Sequence, residues 1–144
     1  TKPTLNLAFF DTRPLATFTA DAPDVDDWFV GGHSLGGVRA CMLADDPAVP
    51  GLILFGSYCA NDVSSPDLRL LSIRGTQDAP TTPAKNQDPA GPLPASAPFV
   101  EIEGLNHAGF GNYGAQAGDG ESTLTRDESR DAITDALATF LGGD

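Results

Sequence analysis

Positive charge is scarce in this chain: 2 lysines and 6 arginines stand against 16 aspartates and 4 glutamates, a net charge of −12 over 144 residues. That balance argues against nucleic-acid binding and against docking on an anionic membrane surface, both of which need a basic face. It fits a halophile-like solvated surface or the codon bias of a GC-rich genome, and favours neither. Metal-ligating side chains are equally few. Two cysteines, Cys41 and Cys59, and two histidines, His33 and His107, do not make a zinc set. Cys41 and Cys59 are read as small buried residues, a disulfide between them being the lesser alternative. No run of about eighteen or more apolar residues occurs, so no transmembrane helix is expected. There is no internal repeat. Neither an initial Met nor a signal-peptide pattern opens the chain, so its natural start is expected upstream and its compartment stays open.

What remains is a hydrophobic share of 40% with 8% aromatic residues, enough for a packed core. At this length the chain is one domain at most, 1–144, able to bury about 68–70% of its unfolded surface.

The chain is organised around Trp28 to Ala44. An apolar run, Trp28-Phe29-Val30, enters Gly31-Gly32-His33-Ser34-Leu35-Gly36-Gly37, and a helix-like segment follows. Gly32-x-Ser34-x-Gly36 fits a nucleophile elbow: strand, tight turn with serine at its tip, helix. The serine needs a strained backbone that lifts its hydroxyl clear, and side chains two residues to either side would collide. The helix start beneath it leaves N–H groups where an oxyanion would form. Other uses of the glycines fail. A phosphate-binding loop would need Gly-Lys-Ser/Thr where Gly36-Gly37-Val38 stands, and Gly31 or Gly32 followed by His33-Ser34-Leu35 does not give the G-x-G-x-x-G spacing of a dinucleotide site.

Around this centre strand and helix alternate, which predicts a mostly parallel sheet wrapped by helices. Leu5 to Phe10 is apolar but too short to type. Asp11 or Thr12 is expected to cap a helix with Pro14 in its first turn and Leu15 and Phe18 facing inward. Strands are expected at Trp28 to Gly31, Gly51 to Gly56, Leu68 to Arg74 and Phe99 to Glu103, the last edge-ward because it alternates strictly. A helix spans Leu35 to Ala44, stopped by Asp45-Asp46-Pro47. The stretch Ala79 to Pro98 is read as an irregular connection and Ala108 to Gly120 as a long glycine loop. Thr125 to Glu128 forms a capping box for a final helix with the stripe Ile133, Ala136, Leu137, Phe140 and Leu141, closed by Gly142-Gly143.

A serine hydroxyl attacks only when a base takes its proton, and that base is usually a histidine oriented by a carboxylate. His33, beside Ser34 on a sharp turn, is expected to point away from the nucleophile. His107, just past a strand end, is then the base. Asp78 follows the preceding strand and is the favoured carboxylate, with Asp62 its rival. The order Ser34, Asp78, His107 is that of a parallel-sheet hydrolase. Phe110 and Tyr113 either wall an acyl pocket or pin the glycine loop.

The stretches G-G-H-S-L-G-G, S-I-R-G-T-Q-D and E-G-L-N-H-A-G-F-G-N-Y-G together resemble the alpha/beta-hydrolase superfamily. Within it they are most similar to bacterial dienelactone-hydrolase-like or carboxylesterase-like hydrolases, over about Leu5 to Leu141. The resemblance implies the alpha/beta-hydrolase fold, with Ser34 as nucleophile, Asp78 as acid, His107 as base and the Leu35 N–H as one oxyanion donor. It implies a small acyl substrate (an ester, a lactone or a relative) and needs no metal or organic cofactor. Acyl transfer would use the same residues, and a non-catalytic module of the same fold is the opposing class. The front departs from the pattern. No His-Gly or Gly-Gly oxyanion loop occurs in Thr1 to Val30, so the expectation is the carboxyl-terminal part of a larger hydrolase. Its first strands would be missing, and the open edge at Trp28, Phe29 and Val30 would favour self-association.

Overall fold

The computed structural model describes residues 11–65, 67–81, 93–94, 97–112 and 114–142. The apolar stretch Leu5 to Phe10 and most of the Ala79 to Pro98 connection lie outside the described residues. Among the described residues four strands, β1 (Phe29–His33), β2 (Gly51–Phe55), β3 (Arg69–Gly75) and β4 (Phe99–Ile102), pair in that order and all in parallel. Three α-helices among the described residues accompany them: α1 (Ala16–Thr19), α2 (Leu35–Leu43) and α3 (Arg126–Gly142). A 3-10 turn, His107–Phe110, follows β4. This is the expected parallel sheet flanked by helices, with β4 at one side of it as its alternation foretold.

Alternation along the strands sorts the core into two layers. Val30, Leu52, Leu54 and Leu70 share one face with Ala40 and Cys41 of α2. Phe29, Ile53, Leu71, Ile73 and Ile102 share the other with Ile133, Ala136, Leu137 and Phe140 of α3. Both faces of β2 and β3 are therefore dry; β2 accordingly reads as an unbroken apolar run, while β3 carries Ser72 and Arg74, both buried, among its apolar residues. Leu141, placed in the apolar stripe by its spacing, is instead half exposed at the helix end. The capping box forms as expected: the Thr125 N–H donates to Glu128 Oε2 at 2.8 Å and the Glu128 N–H to Thr125 Oγ1 at 3.3 Å.

Two expectations are corrected. Neither Asp11 nor Thr12 caps α1, which starts after Leu15 with no side-chain cap. The Asp11 carboxylate is taken by the Arg13 backbone N–H and guanidinium instead. Arg39 of α2 holds this segment by donating to the Asp11 and Arg13 carbonyls. Leu15 is buried and Phe18 partly so. The second correction concerns the cysteines. Cys41 and Cys59 form a disulfide, their Cα atoms 5.5 Å apart. The chain leaving β2 folds back across α2, so a residue of the helix and one 18 positions later meet in the core.

The disulfide closes a loop joining the elbow helix to the β2 exit. Cys41→Ala with Cys59→Ala is expected to lower unfolding stability by about 3 kcal/mol, the chain-entropy value for a loop of this length. Urea unfolding of the oxidised protein and the double variant measures it, and coincident midpoints would refute it.

Candidate active site

All four strands point their carboxyl ends to one edge of the sheet, and the candidate residues emerge there. The elbow comes from β1. Ser34 adopts φ 54° and ψ −126°, the one positive φ outside glycine among the described residues. Such a conformation costs on the order of 1–3 kcal/mol and persists only where the surroundings enforce it. Here hydrogen bonds fix the Ser34 backbone. Its N–H donates to the Phe55 carbonyl at 3.2 Å, and its carbonyl accepts from the Gly37 N–H at 2.9 Å and from the buried Ser57 hydroxyl at 2.6 Å. Its side chain makes no capping bond to the helix. At Gly32 a Cβ would stand 2.3 Å from the Gly36 backbone, so the turn closes only without a side chain there. Leu35 opens α2, and its N–H is one of those an α-helix leaves without an internal acceptor.

Asp78 and His107 are brought together. Asp78 sits in the turn after β3, its N–H donating to the Gly75 carbonyl at 3.2 Å. His107 begins the 3-10 turn after β4. His107 Nδ1 lies 3.0 Å from each Asp78 carboxylate oxygen, with both side chains almost wholly buried. The Thr81 N–H adds a bond to Oδ1 at 3.1 Å. Burial alone would push the Asp78 carboxyl up. The hydrogen bonds from His107 and Thr81, with the charge on His107, outweigh it and hold the carboxyl below its ordinary value. Room for the pair comes from Gly56, at φ +48°, where a Cβ would stand 2.5 Å from Asp78 Oδ2. Asp62, the rival, lies elsewhere: it is exposed and accepts from the Ser64 N–H in a local turn.

No hydrogen bond joins Ser34 Oγ to His107 among the described residues. The ring of His33, the residue before Ser34, lies against that of His107, tilted by 45° with centroids 4.3 Å apart. Phe110 backs it at 5.5 Å and also touches Phe55 at 6.3 Å, pinning the start of the glycine loop to the sheet. Tyr113 lies outside the described residues. Sequence reasoning missed Gly56, Ser57 and the contact of His33 with His107, since none carries a motif and each acts by its place against a neighbour. Among the described residues no group of three or more His, Cys, Asp or Glu is placed to hold a metal ion.

Burial, and the charge of His107 beside it, lower the pKa of His33 from 6.5 to about 4, against weaker opposing pulls from Asp78 and Asp119. The unfolded chain therefore binds the extra proton more readily, and stability falls as pH drops from about 6.5 to about 4. The Asp78 contribution is present above its unfolded value of 3.8 and is lost only as pH falls below it. His33→Phe, which keeps a ring but cannot titrate, should flatten the upper limb and leave the lower one. Denaturant unfolding at stepped pH checks this, and an unchanged upper limb would contradict it.

No curated protein shows significant similarity to the chain. A family model described as "Alpha/beta hydrolase family" matches residues 1–131, nearly the whole length, and agrees with the parallel sheet; the chain thus belongs to the alpha/beta hydrolase family.

Proposed function

We propose that this chain is a serine hydrolase that cleaves an ester, a lactone or a related acyl bond through Ser34, His107 and Asp78. The observation that carries the reading is the buried contact of Asp78 with His107 Nδ1, at the sheet edge where the strained Ser34 turn also emerges. With Nδ1–H given to Asp78, the remaining ring nitrogen, Nε2, is the one left to exchange a proton.

The chemistry follows in two halves. Ser34 Oγ attacks the substrate carbonyl carbon while His107 Nε2 takes the hydroxyl proton, and the carbonyl becomes a tetrahedral oxyanion. The Leu35 N–H, at the positive end of α2, donates to that oxygen. Collapse breaks the bond to the leaving alcohol, which takes the proton from His107 and departs, leaving Ser34 acylated. Water then attacks the acyl carbon, His107 takes its proton, and collapse returns that proton to Ser34 and frees the carboxylic acid. Asp78 stays ionised throughout, holding the imidazole in one tautomer and stabilising the imidazolium. A substrate pose should bring Ser34 Oγ to His107, because such bonds are often long until substrate binds.

Ser34→Ala should lower turnover of short p-nitrophenyl esters by about 10⁶ while leaving the thermal midpoint nearly unchanged. A fluorophosphonate probe should label Ser34 in the parent protein. Covalent labelling mapped to another residue, or activity retained in the variant, would move the nucleophile elsewhere. The acid is tested separately. Asp78→Asn should cost about 10⁴ in turnover, because the amide favours the wrong imidazole tautomer. Asp62→Asn should leave turnover near the parent value, and the reverse ranking would reassign the acid.

A further inference from the structure

We infer that Asp119, in the glycine loop, is a positioning residue that sets the backbone carrying His107; this rests on the hydrolase reading above. His107 lies beyond the end of β4, so the sheet does not hold it directly. Its anchor comes from twelve residues further along the chain. Asp119 Oδ1 accepts from the His107 N–H at 3.0 Å and from the Gly120 N–H at 2.9 Å, and Oδ2 accepts from the Ala108 N–H at 2.8 Å. Asn106 completes the clamp. Its side-chain amide donates to the Gly120 carbonyl at 2.8 Å while its oxygen accepts from the Gly109 N–H at 2.9 Å. Four consecutive residues, 106–109, are thus tied either to positions 119–120 or to one another through side-chain bonds.

The physical reason for a carboxylate here is the local shortage of acceptors. The first N–H groups of a helical turn have no acceptor within the turn, and two of them, at His107 and Ala108, point at Asp119. A carboxylate offers one oxygen to each, and charge-assisted bonds of this kind are shorter and roughly twice as strong as neutral ones. Asp78 fixes one ring nitrogen of His107 and Asp119 fixes its main chain, so Nε2 is located from both ends. Without the clamp the imidazole keeps Asp78, but its Cα can shift, and a misplacement of about 1 Å is enough to cost about 10² in rate.

Asp119→Ala is expected to lower kcat, per site titrated with a fluorophosphonate, by about 10² with KM unchanged. Asp119→Asn keeps one acceptor oxygen but turns an amide donor toward a backbone N–H, so it should fall between the two. In both variants the downfield proton resonance of His107 Nδ1–H should broaden. A merely structural role would reduce the titratable fraction and the thermal midpoint while leaving kcat per site and that resonance untouched, and this result overturns the inference. Amide exchange in the parent protein tests it without any variant. The His107 and Ala108 N–H groups should be protected, and exchange as fast as in the exposed loop at 114–117 would refute the clamp. If the parent neither labels nor turns over, the hydrolase reading fails, and the parent's amide protection and the Nδ1–H resonance of parent and variants still decide the role of Asp119.

Discussion

An ionised carboxylate taken out of water is costly unless hydrogen bonds replace its hydration, by several kcal/mol for an unpaired group. Asp78 is such a carboxylate, and its compensation comes chiefly from a histidine 29 positions away. For that contact to form, the exits of β3 and β4 must run side by side past the end of the sheet. Backbone bonds between them do this: the Thr76 N–H donates to the Ile102 carbonyl at 3.1 Å and the Gln77 N–H to the Leu105 carbonyl at 2.9 Å. The Gly104 N–H donates to the Thr76 hydroxyl at 2.8 Å. The ladder of β3 with β4 is in effect extended beyond the strands, and the buried pair sits on that extension.

The apolar layers make the extension rigid enough to matter. Leu71, Ile73 and Ile102 lie under α3, while Leu52, Leu54 and Leu70 lie under α2, so neither strand exit can tilt without opening packed core. The far end of α3 is fastened by Arg69. Its guanidinium donates to the Phe140 carbonyl at 2.8 Å and rests over the Phe29 and Phe140 rings, 5.3 and 5.2 Å from their centroids. On the other face the disulfide and the Ser57 hydroxyl tie the β2 exit to α2 and to the Ser34 carbonyl. The elbow and the Asp78–His107 pair therefore share one support, the β2 exit, where Gly56 gives way to Asp78 and Ser57 holds Ser34.

Much of this was legible in the residue order. Continuous apolar runs mark strands buried on both faces, the glycines around Ser34 mark a turn that no side chain can enter, and Thr125 with Glu128 marks a helix start. These features depend on neighbours a few residues apart, and spacing records them. The features that were missed depend on chain segments that meet only after folding. The Cys41–Cys59 bond needs the β2 exit to fold back over α2, and two isolated cysteines carry no sign of it. Asp119 is one aspartate of 16 in an acidic chain, and nothing around it in the sequence says that its carboxylate faces the amides of His107 and Ala108. Asp11 illustrates the converse. Its spacing before an apolar stretch suits a helix cap, but Arg13 two residues on competes for the same oxygens and wins with a charged, forked donor.

The neighbour of Ser34 shows how one residue type can serve two ends. The His33 ring lies against that of His107, tilted by 45° with centroids 4.3 Å apart, and His107 faces the buried Asp78 carboxylate. Two imidazolium rings so close would repel, and in the proposed mechanism a charged His33 would oppose the proton that His107 accepts from Ser34. Burial settles the competition, because a ring packed among His107, Phe110 and the sheet keeps its neutral form down to about pH 4. His33 therefore presents an uncharged ring to His107 at neutral pH. A lysine or arginine at this position would place a permanent charge there, and a small residue would leave one face of the imidazole unsupported. A neutral ring at His33 packs beside His107 without drawing on the charge of Asp78, whose carboxylate is held by His107 Nδ1 and the Thr81 N–H.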